Sequence, residues 1–418
     1  MKRRQRMRPK TENYLVGIDI GSSKVGVLIG HRDGHGGLEV VGKGLAPNRG
    51  TRRGNIVNVE QTVEALKQAV EEAEVMAGIE ISQAYAGVAG SDIRSVNSRG
   101  MVSITRRDRE ITHQDIQRVL DAARSAALPA DREILHTIPQ EFFVDEQGGI
   151  TDPLGMLGSR LEVSVHLTTG NITRTKTLQT CVNRAGIEIL ELVFEPLATA
   201  EAVLLQDERD LGVLLIDIGS GGTEYSLFAE GEVQHSAVLP IGAGHFTNDL
   251  AMVLRTPFAE AERLKTRFGC CLETMIDDEE VVTVPAVAGG SERVVPKGEL
   301  CEILQPRAEE LLSLVREDLA KNGWDETLRG GVVLTGGGSK LDGLLELAEQ
   351  IFSATVRHGL PQGLGGLVDV ISSPSWCTAS GLLLYGLSAE QSQSLRRRRT
   401  LTVRNLFGTL RSYFSDLL

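Results

Sequence analysis

The chain has 418 residues with a formal net charge of -12, 41% hydrophobic and 24% charged residues. That length calls for two or more lobes with a sizeable core, and the acid excess argues against general nucleic-acid binding. The five cysteines (Cys181, Cys270, Cys271, Cys301, Cys377) lack metal-ligand spacing, so they read as reduced core thiols of a cytosolic protein. The basic start, Lys2 to Lys10, is followed by no signal-like apolar stretch, and no apolar run is long enough to span a bilayer.

The first element is a hairpin, YLVGIDIGSSKVGVLIG, two β-like runs around a Gly/Ser turn. The apolar spacing of Val63, Leu66, Ala69, Val70 and Ala73 predicts a helix over Val59 to Ala77, and a second helix is expected over Thr112 to Ala127. Ile138-Pro139-Gln140-Glu141-Phe142 follows, then a Gly/Pro-rich loop, GGITDPLGMLGSRLEV, leading into a strand over Leu161 to Leu167. A helix over Thr175 to Ala185, a strand over Glu188 to Val193 and a helix over Pro196 to Leu205 come next.

A second hairpin, LGVLLIDIGSGGTEYSLF, then repeats Ile-Asp-Ile-Gly-Ser (18–22 and 216–220), which implies two homologous lobes. Beyond it, Thr256 to Phe268 reads as a helix and Thr283 to Val295 as β-like with a turn at Gly289-Gly290. Pro306 to Asn322 reads as a long helix, and Gly331 to Leu334 as a buried strand running into Gly336-Gly337-Gly338 and a helix opening near Lys340. Residues 389 to 402 form a polar, arginine-rich linker before a last element, Val403 to Leu418.

Each hairpin turn is a candidate phosphate site. At Gly21, Ser22 and Ser23, and at Gly219, Gly221, Gly222 and Thr223, small residues let backbone N–H groups face an anion, with Lys24 adding charge. Asp19 and Asp217 end the strands just before the turns, where two carboxylates suit a hydrated Mg2+. One such turn alone could be an ordinary hairpin; two copies plus a triple glycine between strand and helix favour a nucleotide.

The two hairpins, the helix Glu-Pro-Leu-Ala-Thr-Ala-Glu-Ala at 195–202 and the turn Thr335 to Gly338 resemble the actin, heat-shock chaperone and sugar kinase superfamily. The resemblance implies an α/β fold of two lobes, duplicated ribonuclease-H-like domains closing on ATP and Mg2+. It implies that residues 21–24 and 219–223 bind phosphates. Gly336, Gly337, Gly338 and Ser339 would line the adenosine, with Glu262 and Lys265 reaching ribose or base from one helix face. Glu262 and Lys265 also read as a surface ion pair. Glu195 matches the position where relatives orient the attacking water, and it reads equally as a carboxylate favoured at a helix start.

At the C-terminus Val403, Leu406, Phe407, Leu410, Tyr413, Phe414, Leu417 and Leu418 recur at spacings of three and four, behind Arg396 to Arg399. This amphipathic helix suits a membrane interface with anionic lipids, or else docking on the chain's own core or a partner helix. With the segment IPQEFFVDEQGGITDPLGMLGSRLEV, it makes the chain resemble the FtsA family of bacterial cell-division proteins, which anchor FtsZ.

That resemblance implies a basic disordered tail (1–13), a first lobe core (14–85, 163–200, 371–388) and an inserted subdomain (86–162). It further implies a second lobe core (201–232, 303–370), a small subdomain (233–302), a linker (389–402) and the terminal helix (403–418). The expected job is an ATP-binding, self-assembling scaffold with at most slow ATPase activity, peripheral on the cytoplasmic face of the cell membrane at the division site. The FtsZ C-terminal peptide would meet the small subdomain, with Arg293 and Lys297 as basic candidates that also read as plain surface charges. Later division proteins would meet the insert. Relatives often read Gly-Thr-Thr-Asp after the second turn; here Gly221-Gly222-Thr223-Glu224 puts fast hydrolysis in doubt. The alternatives are a pilus-assembly platform and a kinase or phosphatase of the same superfamily.

Overall fold

The computed structural model describes residues 13–125, 128–277, 279–287, 291–324 and 327–391. Both repeated hairpins form as the sequence predicts. Tyr14–Ile20 pairs antiparallel with Lys24–Arg32, and Val213–Ile218 with Thr223–Ala229. Each is flanked on its other side by a parallel strand, Gln83–Val88 in the first lobe and Gly331–Thr335 in the second. These strands are almost wholly buried because helices cover both faces of each sheet, which explains their near-continuous apolar sequence. The first lobe completes a six-stranded sheet and the second a five-stranded one. This is the two-lobed actin-like architecture.

The first predicted helix forms over Val59–Ala77, capped by Asn58, whose side chain accepts from the Gln61 N–H, and closed by Gly78 in the left-handed region. The second runs His113–Arg124 from Thr112. The expected helix from Pro306 instead spans Lys297–Lys321, with the proline inside. A proline usually marks a helix start; here the buried stripe Leu300, Leu304, Ala308, Leu311 runs through it and packing holds the helix on both sides. The helix expected near Lys340 is a short 3-10 turn, Gly337–Lys340, followed by Leu344–Phe352.

The insert is a four-stranded antiparallel sheet ordered Arg94–Ser103, Arg160–Asn171, Arg132–Val144, Gln147–Ile150, with the helix His113–Arg124 packed on it. Pro139 lies within its central region, opposite Val165, where the register shifts past Ser164. A proline has no N–H to donate, and a bulge is where a sheet tolerates it. The subdomain boundary expected at 162 falls inside the strand Arg160–Asn171, and that expected at 233 inside Glu232–Leu239, which pairs with Thr223–Ala229 in the second lobe's sheet.

The insert is bolted to that edge strand. His166 contacts Asn97 Oδ1 (2.7 Å) and Ser236 Oγ (2.8 Å), Ser95 and Ser236 share a hydrogen bond of 2.6 Å, and Gln140 donates to the Val233 carbonyl (2.9 Å). Burial pulls the His166 pKa down to about 4, so the ring is neutral.

The chain passes from first lobe to second through the helix Glu195–Val203 and returns through the helix over 377–391. The two cross at bare backbone: a Cβ on Gly381 would collide with the Ala198 carbonyl. The expected linker start, 389–391, is the end of this returning helix. The expected basic tail (1–12), the turn Gly289-Gly290, the rest of the linker, and Val403, Leu406, Phe407, Leu410, Tyr413, Phe414, Leu417 and Leu418 lie outside the described residues. Among the described residues no helix is long and apolar enough to cross a membrane.

Candidate nucleotide cleft

Both hairpin turns open into one cleft of about 400 Å³ between the lobes. In the first, Gly21, Ser22 and Ser23 join the strands and Lys24 opens the second strand. Ser22 Oγ accepts from the Gly54 N–H (2.9 Å), and Asn48 donates to the Gly21 carbonyl (2.8 Å), so the turn is held from outside. Lys24 Nζ donates to the Ser375 carbonyl and stands 4.8 Å from the Trp376 ring centre, a cation–π contact. In the second turn the Gly219 and Ser220 carbonyls accept from Ala243 and Gly244 (both 2.8 Å), fixing it to the helix Ala243–Leu254. Gly221 must be glycine: a Cβ there would strike Ser22 of the opposite lobe.

Thr223 departs from expectation. Its hydroxyl donates to the Ile241 carbonyl (2.7 Å), and the residue is fully buried away from the cleft. Strand alternation explains this, since Gly222 and Glu224 on either side line the cleft instead. Ser339 departs likewise: its hydroxyl donates to the Gly336 carbonyl (2.9 Å), closing the turn and leaving Gly336, Gly337 and Gly338 as the lining. A Cβ on Gly338 would strike Ile218, and one on Gly336 would strike Asp217, so this wall admits no side chains. Glu262 and Lys265 complete that end. Lys265 Nζ bonds Glu262 (2.8 Å), Thr247 (2.7 Å) and the Ala243 carbonyl (2.9 Å), and burial lowers its pKa.

Four carboxylates meet at the cleft floor: Asp19, Glu195, Asp217 and Glu224. Asp217 accepts from Thr378 (3.2 Å) and Thr199 (3.5 Å). Burial raises all four pKa values. Asp217 rises to about 6, with Asp19 adding repulsion; Glu224 rises to about 8, with Asp217 and Asp19 adding to it. Glu195 is raised well above its usual value by burial and then by Glu224, while Lys24 partly relieves Asp19. Acids this crowded with so little positive charge suit a bound cation. Among the described residues no group of three His, Cys, Asp or Glu converges on a metal, so the donor set fits a largely hydrated divalent ion held through Asp19 and Asp217.

Arg293 and Lys297 lie elsewhere and are already partnered. Arg293 donates to the Leu254 carbonyl (2.6 Å), and Lys297 pairs with Glu280 (2.6 Å), which raises its pKa. The groove beside them, about 1090 Å³ between the helices Ala243–Leu254 and Lys297–Lys321, is lined by Met252, Val253, Ile276 and Ile303, by Glu273, Glu299 and Glu302, and by Arg307, which pairs with Asp249 and Glu310. Sequence reasoning also missed Gly54, Gly90 and the segment Pro374 to Thr378, which reach the cleft from three loops. Only the positive-φ glycines at 54 and 90 left a signal there.

Comparison with known proteins decides the family. The chain is 45% identical over 376 residues to the cell division protein FtsA of Pseudomonas aeruginosa, covering 90% of each chain.

The chain belongs to the FtsA family.

The FtsA family model matches residues 214–381, and the model of the SHS2 domain inserted in FtsA matches 90–169, the segment that builds the four-stranded insert. FtsA of Escherichia coli is 36% identical over 379 residues, covering 89% of this chain and 90% of that one. Among solved structures, the fold is similar to a PilM-PilN type IV pilus biogenesis complex (TM-score 0.65, 17% identity, 89% of this chain and 98% of that one). It is also similar to MreB5 of Spiroplasma citri bound to ADP (TM-score 0.58, 14% identity, 92% and 99%). At those identities the likeness speaks for the actin-like fold, and membership of the FtsA family rests on the sequence matches.

Proposed function

We propose that this cell-division protein binds ATP with Mg2+ in the interlobe cleft and, in the bound state, assembles with copies of itself into a scaffold that tethers FtsZ to the inner face of the cytoplasmic membrane. The observation that carries the nucleotide part is the convergence of two glycine-rich turns, the cation Lys24 and a crowded carboxylate floor on a single cleft. The N–H groups of 21–23 and 219–222 and Lys24 would hold phosphates, and Asp19 and Asp217 a hydrated Mg2+. The bare wall Gly336 to Gly338, with Glu262 and Lys265, would hold the nucleoside. Ser339 and Thr223 would shape these walls from behind. MreB5 of Spiroplasma citri, a fold relative, is bound to ADP in one structure.

Glu195, at the cleft floor, would orient an attacking water. It shares its buried site with Glu224, whose pKa near 8 leaves the pair holding a proton at neutral pH. A protonated carboxyl is a poor base, which supports slow hydrolysis.

The FtsZ tail would dock on the small subdomain, in the groove where Glu273, Glu299 and Glu302 stand beside the Arg307 pairs with Asp249 and Glu310. Its chemistry suits an apolar segment bearing basic residues, so Arg293 and Lys297 serve the groove's framework. Residues 403–418 would supply the lipid contact, and the insert would recruit later division proteins. Flotation on vesicles containing anionic lipid, with and without residues 403–418, tests the tether; equal flotation of the shortened chain refutes it. Titration of purified protein with the FtsZ tail peptide tests the partner, and no saturable binding refutes it.

A further inference from the structure

The hairpin Thr51–Arg52 to Asn55–Ile56 turns through two residues, Arg53 and Gly54, both with positive φ (51° and 73°). Such a turn favours Asn, Asp or Gly at its first central position. An arginine there carries backbone strain of roughly 1 kcal/mol, which persists only where the surroundings enforce it. Here they do. The Gly54 N–H is committed to Ser22 Oγ (2.9 Å), and a Cβ on Gly54 would sit 2.6 Å from Gly90 Cα.

The strained residue stands where the lobes meet. A Cβ on Gly221, in the second turn, would lie 2.9 Å from Arg53 Cα and would also strike Ser22, in the first turn. Arg53 therefore stands against the second turn while its neighbour Gly54 is bonded to the first, and Arg53 lines the cleft. The nucleoside wall meets the second turn from the side of the helix Ala243–Leu254, where Gly338 approaches Ala243 and Lys265 bonds Ala243 and Thr247, whereas Arg53 meets that turn at Gly221. The other cations of the cleft are engaged, Lys24 with the Ser375 carbonyl and Trp376, Lys265 with Glu262. Among the described residues the Arg53 guanidinium has no ion pair or hydrogen bond. A guanidinium is a fork matched to phosphate oxygens.

We infer that Arg53 contacts the terminal phosphate of the nucleotide and so makes the cleft distinguish a triphosphate from a diphosphate, a conclusion that rests on the nucleotide reading above. The strain at residue 53 holds the side chain's root at the junction of the lobes, between the two turns that would grip the end of the phosphate chain.

The test compares ATP and ADP binding, each with Mg2+, by calorimetry on the full chain and its Arg53→Gly and Arg53→Lys variants, alongside the melting temperature of each nucleotide-free protein. Removing a charged hydrogen-bonding partner should weaken ATP binding of Arg53→Gly about tenfold or more. ADP binding should change by less than about threefold, and Arg53→Lys should fall between. The nucleotide-free Arg53→Gly protein should melt no lower than the parent, because glycine relieves the turn, so a loss of ATP affinity cannot be put down to misfolding. An unchanged ATP-to-ADP affinity ratio in Arg53→Gly overturns the inference while leaving the nucleotide reading standing. Failure of the parent chain to bind either nucleotide overturns both.

Discussion

The two hairpin turns share a backbone and differ in chemistry. The first presents Ser22 and Ser23 hydroxyls and the Lys24 ammonium; the second presents Ser220, Gly221 and Gly222, carries no cation, turns Thr223 inward and follows with the half-buried Glu224. Their strands pair in the same register pattern, so duplication preserved the geometry while the residues diverged. The first turn supplies charge and donors. The second supplies closeness, since its glycine lets Ser22 and Arg53 of the other lobe come into contact. A turn can serve an anion by what its side chains offer or by what they leave out.

The contrast can be broken most sharply at the second turn's glycine. Gly221→Val puts a branched side chain against Ser22 and Arg53, and ATP affinity measured by calorimetry should fall about 100-fold or more, because the lobes can no longer meet. Lys24→Ala removes the first turn's charge, and a loss of about tenfold or more is expected in the same measurement. A smaller loss at Gly221 than at Lys24 would mean that closeness matters less than charge.

Glu224 gives the pH signature. Its folded pKa of about 8 lies above the ordinary 4.5, so the folded chain keeps a proton the unfolded chain releases. The stability this contributes is complete below about pH 4.5 and is lost as pH rises through 8. Denaturant titration of the nucleotide-free protein should show stability falling by about 2 kcal/mol between pH 6.5 and 8, and Glu224→Gln should flatten that slope. The same slope in the variant would place the proton elsewhere. The smallest effect is expected at Thr223. Thr223→Ala should leave ATP affinity within about twofold and cost about 1 kcal/mol of stability, the worth of its bond to the Ile241 carbonyl. A large loss of affinity would return Thr223 to the phosphate site.

Much of this was legible in the sequence because it is local. The hairpins announce themselves by period and glycine, and the helix Val59–Ala77 by its apolar stripe and its bounding Asn58 and Gly78. Asp19, Asp217 and the three glycines at 336–338 were placed by their position after strands. What stayed hidden depends on the third dimension. Whether Thr223 or Glu224 faces the cleft is settled by strand alternation counted from an end the sequence does not mark. Arg293 and Lys297 are basic in sequence and spoken for in space. Arg53 and Trp376 lie more than 300 positions apart, yet both serve one cleft, and Pro306 reads as a boundary until the helices packed around it are known.

At the crossing of Gly381 over the Ala198 carbonyl the two connecting helices meet main chain to main chain, with the Thr199 and Thr378 hydroxyls bonded beside them (3.0 Å). An axle made of backbone does not change shape when side chains are exchanged. Each lobe is thereby free to drift, one toward charge and one toward bareness, while the contact between them stays the same.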